Sequence, residues 1–182
     1  IYFGTVNMAL GSTASTIGIA AGGVTINTIV FGAGQGSQGV TLSGGGGTIT
    51  LAVGTSPPSP IPTITTNNAG ADTIGAVLAG TVGLIKGGAG TLILTGVNTF
   101  TGGLTIAGGG TLQVGNGTSG SLTSQVLTFN NGGGIFNFQS ASAGSTQAMG
   151  ALTFSTTGVG DSTVQSTYGT TGNAALSFTS LA

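Results

Sequence analysis

The sequence predicts an all-β fold, a β-solenoid that forms one elongated domain over residues 1–182. Segments in which apolar residues alternate with Thr or Ser recur along the whole chain, and no stretch has apolar residues at helical spacing. Glycine supplies 39 of the 182 residues and separates these segments, a frequency that ordinary helices do not tolerate. Alternation places one set of side chains in a core and the other set outside.

The predicted strands follow these alternating segments in chain order. They cover residues 5–10, 16–20, 24–31, 40–43, 48–53, 91–95, 104–107, 111–114, 126–129, 135–138, 151–154, 162–166 and 175–178. The apolar members of the later segments form inward pairs, namely Leu92/Leu94, Leu104/Ile106, Leu112/Val114, Leu127/Phe129, Phe136/Phe138, Leu152/Phe154 and Leu176/Phe178.

Short strands of this kind also suit an antiparallel sandwich or barrel, but the connectors favour a parallel solenoid. Two-residue hairpin signals are few, and glycine clusters at 44–47, 108–110 and 132–134 suit corners where φ is positive. Asn at 67–68, 98 and 130–131 tolerates the same conformation, and its amide can form ladders between coils. We expect about 20 to 25 residues per three-strand coil and roughly seven to eight coils, ~4.8 Å apart.

One segment interrupts the repeat. The stretch TSPPSPIPT at 55–63 contains all four prolines, and proline cannot donate to an interior strand ladder. We interpret it as an extruded loop and as a candidate internal boundary of the single domain. It is also the one non-repetitive segment that an adhesin would use to bind a ligand.

The composition excludes several classes of function. Charged residues make up 2% of the chain, which has no His and no Cys, and Asp72, Asp161 and Lys86 are its three charges. Catalysis needs an acid, a base or a metal, so we expect no enzyme activity, no catalytic residues, no cofactor and no metal site. Nucleic-acid binding needs a basic stripe, which one lysine cannot form. Apolar runs are too short for membrane insertion.

Residues 83–117, GLIKGGAGTLILTGVNTFTGGLTIAGGGTLQVGNG, resemble the autotransporter-associated β-strand repeat, also called the passenger-associated transport repeat. The resemblance depends on a lysine, a Gly-x-Gly-Thr-Leu strand, an Asn-Thr-aromatic-Thr-Gly turn and a final Gly-Thr-Leu-x-Val segment. The matching residues are Lys86, Gly88, Gly90, Thr91, Leu92, Leu94, Asn98, Phe100, Gly102, Gly103, Gly110, Thr111, Leu112 and Val114. It implies a right-handed parallel β-helix on a bacterial surface, often a stalk or adhesin.

Within this repeat, Lys86 is interpreted as an exposed or snorkelling lysine at a turn. The alternative is a Lys–Asn isopeptide bond, which needs a neighbouring carboxylic acid, and only Asp72 and Asp161 are available. Both aspartates are otherwise interpreted as solvated turn residues or Asx-turn residues. Paired threonines such as 48–50, 63–65 and 99–101 stabilise sheets, with an ice-binding or glycan-binding face as the alternative.

The two ends of the chain predict assembly. Both are strand-like and uncharged, and a net charge of −1 gives little repulsion between molecules. The candidate assembly residues are Ile1, Tyr2, Phe3, Leu176, Phe178 and Leu181. We therefore expect a secreted structural subunit or module of a bacterial surface fibre, which self-associates end to end as a homo-oligomer or filament through strand stacking. The alternative is an adhesin segment that binds surface glycans or host ligands, and Asn116 in Asn-Gly-Thr is a candidate glycosylation site.

Overall fold

The structure is a computed structural model that describes residues 2–8, 15–32, 37–54, 60–141, 144–155, 160–168 and 172–182, with the backbone alone for residues 2–8. These residues form strands and connections. The strands are β1 Tyr2–Met8, β2 Ser15–Gly18, β3 Val24–Phe31, β4 Val40–Ser43, β5 Thr48–Leu51, β6 Thr63–Thr66, β7 Ala71–Ile74, β8 Val77–Ala79, β9 Leu84–Gly87, β10 Thr91–Leu94, β11 Val97–Asn98, β12 Leu104–Ala107, β13 Thr111–Val114, β14 Ser121–Leu122, β15 Leu127–Asn130, β16 Gly134–Gln139, β17 Ser145–Phe154, β18 Ser162–Thr167 and β19 Ala174–Leu181. Within the described ranges, no helix is long and apolar enough to cross a membrane.

Adjacent strands of the sheets are parallel, and the central turns of the chain contribute one strand to each of three faces. The first face is the sheet β2-β4-β7-β10-β13-β16-β18. The second contains β6, β9, β12 and β15 between the long strands β3 and β17. The third is made of the short strands β5, β8, β11 and β14, and the first half of β3 pairs with β5 while its second half pairs with β6. This arrangement is a parallel β-helix, so the prediction of a solenoid is confirmed.

The length of a coil follows from the strand register. Thr91 pairs with Ala71 of the preceding coil and with Thr111 of the following coil, so two equal central coils begin at positions 71 and 91. The next coils on this face are longer, because Thr111 pairs with Ile135 and Ile135 pairs with Thr163. The longest spacing on this face runs from Thr41 to its partner Thr73 and contains the proline-rich segment. The central coils therefore have the predicted length, and insertions lie at corners.

The base of the proline-rich segment is closed by hydrogen bonds, although residues 55–59 lie outside the described residues. The Gly54 amide donates to the Pro60 carbonyl at 3.4 Å. The buried Asn27 amide donates to Ala52 O at 3.1 Å and to Pro60 O at 2.9 Å. The solenoid backbone thus continues from β5 to β6 across this insertion.

Apolar side chains from equivalent positions stack in the core. Leu104, for example, lies between Leu84 and Leu127 in the strand register. The five predicted inward pairs from Leu92/Leu94 to Phe136/Phe138 are fully buried. The last two pairs are not, because they lie in the coils near the end of the sheets, and the Phe154 side chain is 43% exposed although it stacks on Phe129 at 5.7 Å.

Candidate functional site

The repeat at residues 83–117 contains a buried lysine. Lys86 points inward from β9 between Ile64 and Ile106 in the register, and its side chain is 0% exposed. Its ammonium group donates to Gly88 O and to Gly90 O, both at 2.6 Å. The interpretation of Lys86 as exposed or snorkelling is therefore wrong, because the carbonyl groups of the 88–90 corner replace water around the ammonium.

Glycines make room for this ammonium group. A β-carbon at Gly110 would overlap Lys86 Nζ from the preceding coil, and one at Gly90 would lie 2.9 Å from the Thr66 and Asn68 carbonyl oxygens. Burial lowers the pKa of Lys86 from 10.5 to about 8, and the negative charge of Asp72 acts in the opposite direction. The lysine and the glycines of the repeat are thus one packed unit.

A second charge lies in the same core. Asp72 is 0% exposed within β7, and its Oδ1 accepts from the Val40 amide at 3.0 Å and from Asn68 Nδ2 at 2.9 Å. Burial raises the pKa of Asp72, while these two hydrogen bonds and the positive charge of Lys86 lower it. The prediction of a solvated turn residue is wrong for Asp72, whereas Asp161 is exposed immediately before β18.

Asn68 and Lys86, the pair that an isopeptide bond would join here, have separate hydrogen-bond partners. Besides Asp72, the amide nitrogen of Asn68 donates to Gln38 O at 3.2 Å, towards the preceding coil. Lys86 instead bonds to the carbonyls of its own corner. The geometry therefore gives no support to an isopeptide bond between Lys86 and Asn68.

Asn98 joins three coils. It is buried in β11, where its Oδ1 accepts from the Leu78 amide at 3.0 Å and its Nδ2 donates to Gly96 O at 2.8 Å and Ser121 O at 3.1 Å. The prediction of a corner Asn in a left-handed conformation is wrong here, since Asn98 is in a strand. Asn131, with φ of 44°, has that conformation.

The remaining repeat residues occupy structural positions. Gly88 and Gly103 have positive φ, and a β-carbon at Gly102 would overlap the backbone of residues 82 and 83. Thr91 and Thr111 are in register on the outer side of their strands. The fully buried members are Leu92, Leu94, Phe100, Leu112 and Val114.

An amide face, defined here as Gln113, Asn137, Gln139, Gln165 and Thr167, lies on the outer side of β13, β16 and β18, where neighbouring side chains leave Asn137 only 6% exposed. Gln113 Nε2 donates to Gly115 O at 2.8 Å and to Gln139 Oε1 at 2.7 Å, and Asn137 Nδ2 donates to Gln113 Oε1 at 3.1 Å. Thr167 Oγ1 donates to Asn137 Oδ1 at 3.0 Å, and Gln165 is in register with Asn137. Sequence reasoning missed this face, although period two places Gln113 and Asn137 on the outer side of their strands.

The predicted assembly residues lie near both ends of the helix. Ile1 is outside the described residues, and Tyr2 and Phe3 are in β1, where they pair with Thr25 and Ile26 of β3. Leu176 and Phe178 are partly buried in β19, and Leu181 is 73% exposed.

The candidate glycosylation site is on the surface. Asn116 is exposed between β13 and β14, where its Oδ1 accepts three hydrogen bonds from Thr118 and Ser119. Glycosylation of Asn116 stays a prediction.

These features define a parallel β-helix with a buried lysine in its central coil. Residues 84–114 match the model of the passenger-associated-transport-repeat family, so the resemblance predicted for residues 83–117 is confirmed. Over 153 residues, the chain is 37% identical to the adhesin BmaC autotransporter of Brucella suis biovar 1 (strain 1330). The aligned region is 83% of this chain but 4% of that much longer protein. No solved structure matches the chain.

Proposed function

We propose that this chain is a surface-displayed segment of a bacterial adhesin, which contributes to attachment through its outer faces and has no enzymatic role. The observation that carries the proposal is the 37% identity to an autotransporter adhesin over 83% of the chain. The passenger-associated repeat at 84–114 agrees with display outside the cell. A parallel β-helix suits this role because it holds its outer faces rigid at the surface of the cell.

Display on a non-adherent bacterium tests this proposal. Cells that present the chain on a surface anchor should attach to cultured epithelial cells more than cells that present the anchor alone. A Lys86→Met variant, confirmed to be folded by circular dichroism, should attach as well as the parent because Lys86 is buried. Equal attachment with and without the chain would show that the segment is only a spacer.

A second candidate function is a fibre subunit that stacks end to end. Among the described strands, β18 and β19 end two sheets, and neither contains Lys, Glu or Pro to protect its edge. The 73% exposed Leu181 lies at this end. Such an edge can pair with a further parallel strand, either from another molecule or from a continuation of the same chain.

Sedimentation velocity and electron cryomicroscopy test the stacking. We expect filaments from the parent chain and monomers from Ser177→Lys, which places a charge on the edge strand β19. Thr105→Lys in the interior strand β12 is the matched control and should still assemble. Monomers of the parent chain at high concentration would eliminate this candidate.

A further inference from the structure

The first step concerns the two Asn-Gly pairs of the chain. They are Asn116-Gly117 and Asn131-Gly132, and both asparagines are exposed. At such a pair the backbone nitrogen of the glycine can attack the side-chain amide carbon of the asparagine, because glycine has no side chain to obstruct the five-membered ring that forms. Both pairs therefore have the composition that spontaneous deamidation needs, and the structure gives them different surroundings.

The second step concerns the side-chain oxygen of Asn116. It accepts hydrogen bonds from the Thr118 amide at 3.0 Å, from Thr118 Oγ1 at 2.7 Å and from the Ser119 amide at 3.0 Å. Donors on a carbonyl oxygen stabilise the negative charge that this oxygen gains when the attached carbon is attacked. The same donors would hold the carboxylate of the product, because hydrogen bonds to a charged acceptor are the stronger ones.

The third step concerns the attacking and the leaving nitrogen. Within the described residues, neither the Gly117 amide nor Asn116 Nδ2 takes part in a hydrogen bond. The Asn116 backbone amide donates to Ser119 O at 3.1 Å, which keeps the turn closed around the side-chain oxygen. The attacking nitrogen is thus not engaged elsewhere, and the leaving nitrogen faces solvent on an exposed side chain.

Asn131 provides an internal comparison. It precedes a glycine and is exposed as well, but no described residue donates to its side-chain oxygen. Its backbone has φ of 44°, and its carbonyl accepts from the Gly108 amide of the preceding coil at 3.0 Å. The two sites share the dipeptide and the exposure, so they differ in the donors around the amide oxygen.

We propose that Asn116 is a deamidation site and that its own turn promotes the reaction. The Gly117 nitrogen bonds to the Asn116 amide carbon and loses its proton, while Asn116 Nδ2 takes up a proton and leaves as ammonia. The remaining succinimide is opened by one water molecule, which gives aspartate or isoaspartate at residue 116. No oxidant or reductant is needed.

The reaction changes the surface of the molecule. It adds one negative charge to a chain with a net charge of −1, and Asp161 is the one exposed ionised side chain among the described residues. It also removes the asparagine of Asn-Gly-Thr, so a converted chain can no longer be glycosylated there. The inference goes beyond the adhesin function and does not depend on it.

Mass spectrometry of the whole chain tests the proposal. The folded protein is incubated at mildly alkaline pH, and fragmentation locates the mass increase of an amide that becomes an acid. We expect residue 116 to convert roughly tenfold faster than residue 131, the factor that a single hydrogen bond to the transition state can supply. Equal rates, faster conversion at residue 131 or no conversion at residue 116 overturns the proposal.

Urea separates the turn from the local sequence. In the unfolded chain the donors no longer surround the Asn116 oxygen, so the rates at residues 116 and 131 should converge. A rate ratio that is the same in the folded and the unfolded chain would show that the flanking residues set it, and the role of the turn would be wrong.

Variants test the donors, each confirmed to be folded by circular dichroism. Thr118→Val removes the hydroxyl donor with little change of shape and should slow conversion of Asn116 roughly three- to tenfold. Thr118→Ser keeps the hydroxyl and should convert as fast as the parent. Thr101→Val removes an exposed hydroxyl elsewhere and is the matched control. Equal rates at residue 116 in Thr118→Val and Thr101→Val would contradict the assignment.

A variant that carries the product tests the same donors by stability. Asn116→Asp places a carboxylate among them and should unfold at the same urea concentration as the parent or a higher one. A lower midpoint would show that the turn does not favour negative charge at this oxygen, and would count against the proposal.

Discussion

The ammonium group of Lys86 on one coil lies where a β-carbon of residue 110 on the next coil would be, so residue 110 has to be a glycine. The same ammonium bonds to Gly88 O and Gly90 O, so it cannot move away without losing two charge-assisted hydrogen bonds. The lysine of the repeat therefore requires Gly110, the first residue of the Gly-Thr-Leu-x-Val segment that ends the repeat.

Gly110→Ala should destabilise the protein by roughly 2–4 kcal/mol, because the new methyl group displaces the ammonium from its carbonyl partners. Urea unfolding followed by circular dichroism measures the change. Gly22→Ala is the matched control, since a β-carbon there meets nothing within 4 Å, and it should change stability by less than about 1 kcal/mol.

The double variant Lys86→Met with Gly110→Ala tests the coupling between the two positions. Gly110→Ala should cost less when the ammonium is absent, although some cost remains because the β-carbon also overlaps the Gly88 carbonyl. Additive effects of the two substitutions would show that the close approach of Lys86 and Gly110 has no energetic weight.

The solenoid could be predicted from the sequence because its signals are local. Alternation predicted strands such as residues 24–31, 40–43, 104–107 and 111–114 with the bounds that the structure has. The four-residue strands β6, β7 and β9 were missed. Strands β8, β11 and β14 were missed as well, because two or three residues are too few to show a period of two.

The polar interior could not be predicted in this way. The strand alternation places Lys86 and Asp72 on the inward side of their strands, and both are buried. They were expected outside because charged residues are rarely buried. Their partners are backbone groups or residues of other coils, such as Val40, Gly88 and Gly90. A sequence shows the spacing of residues along the chain but not which corners stack across coils.

The buried ammonium should make stability depend on pH in the alkaline range. The pKa of Lys86 is about 8 in the folded chain against 10.5 normally, so between these values the unfolded chain holds a proton that the folded chain has released. The contribution of Lys86 to stability therefore rises by roughly 1–3 kcal/mol between about pH 8 and 10.5, and is lost as the pH falls through 8.

Urea unfolding at intervals across this range measures the slope, and Lys86→Met is the reference because it retains the other groups that titrate there. The parent should gain stability relative to Lys86→Met as the pH rises. Parallel curves for the two proteins would show that the pKa of Lys86 is not lowered in the folded state.

Asp72 should produce the opposite trend at acidic pH. The pKa of Asp72 is raised above 3.8 in the folded chain, so the folded chain holds a proton that the unfolded chain has released. The stabilisation from this proton is fully present below pH 3.8 and is lost as the pH rises through the folded pKa. Asp72→Asn keeps an oxygen acceptor for Val40 and Asn68 without the charge, and should remove this dependence. Urea midpoints between about pH 3 and 7 measure it, and a parent curve that rises with pH relative to the variant would contradict the prediction.

Asn98→Ala should be among the most destabilising single substitutions outside the apolar core. It leaves the Leu78 amide and the Gly96 and Ser121 carbonyls without the partner that joins three coils, and buried groups of this kind cost about 1–3 kcal/mol each when unpaired. We expect a loss of roughly 3 kcal/mol or more, measured as a shift of the urea midpoint with an unchanged slope. Asn67→Ala removes an exposed amide and is the control. Hydrogen exchange should show faster exchange at the Leu78 amide in Asn98→Ala, and an unchanged rate there would mean that another group replaces the asparagine oxygen.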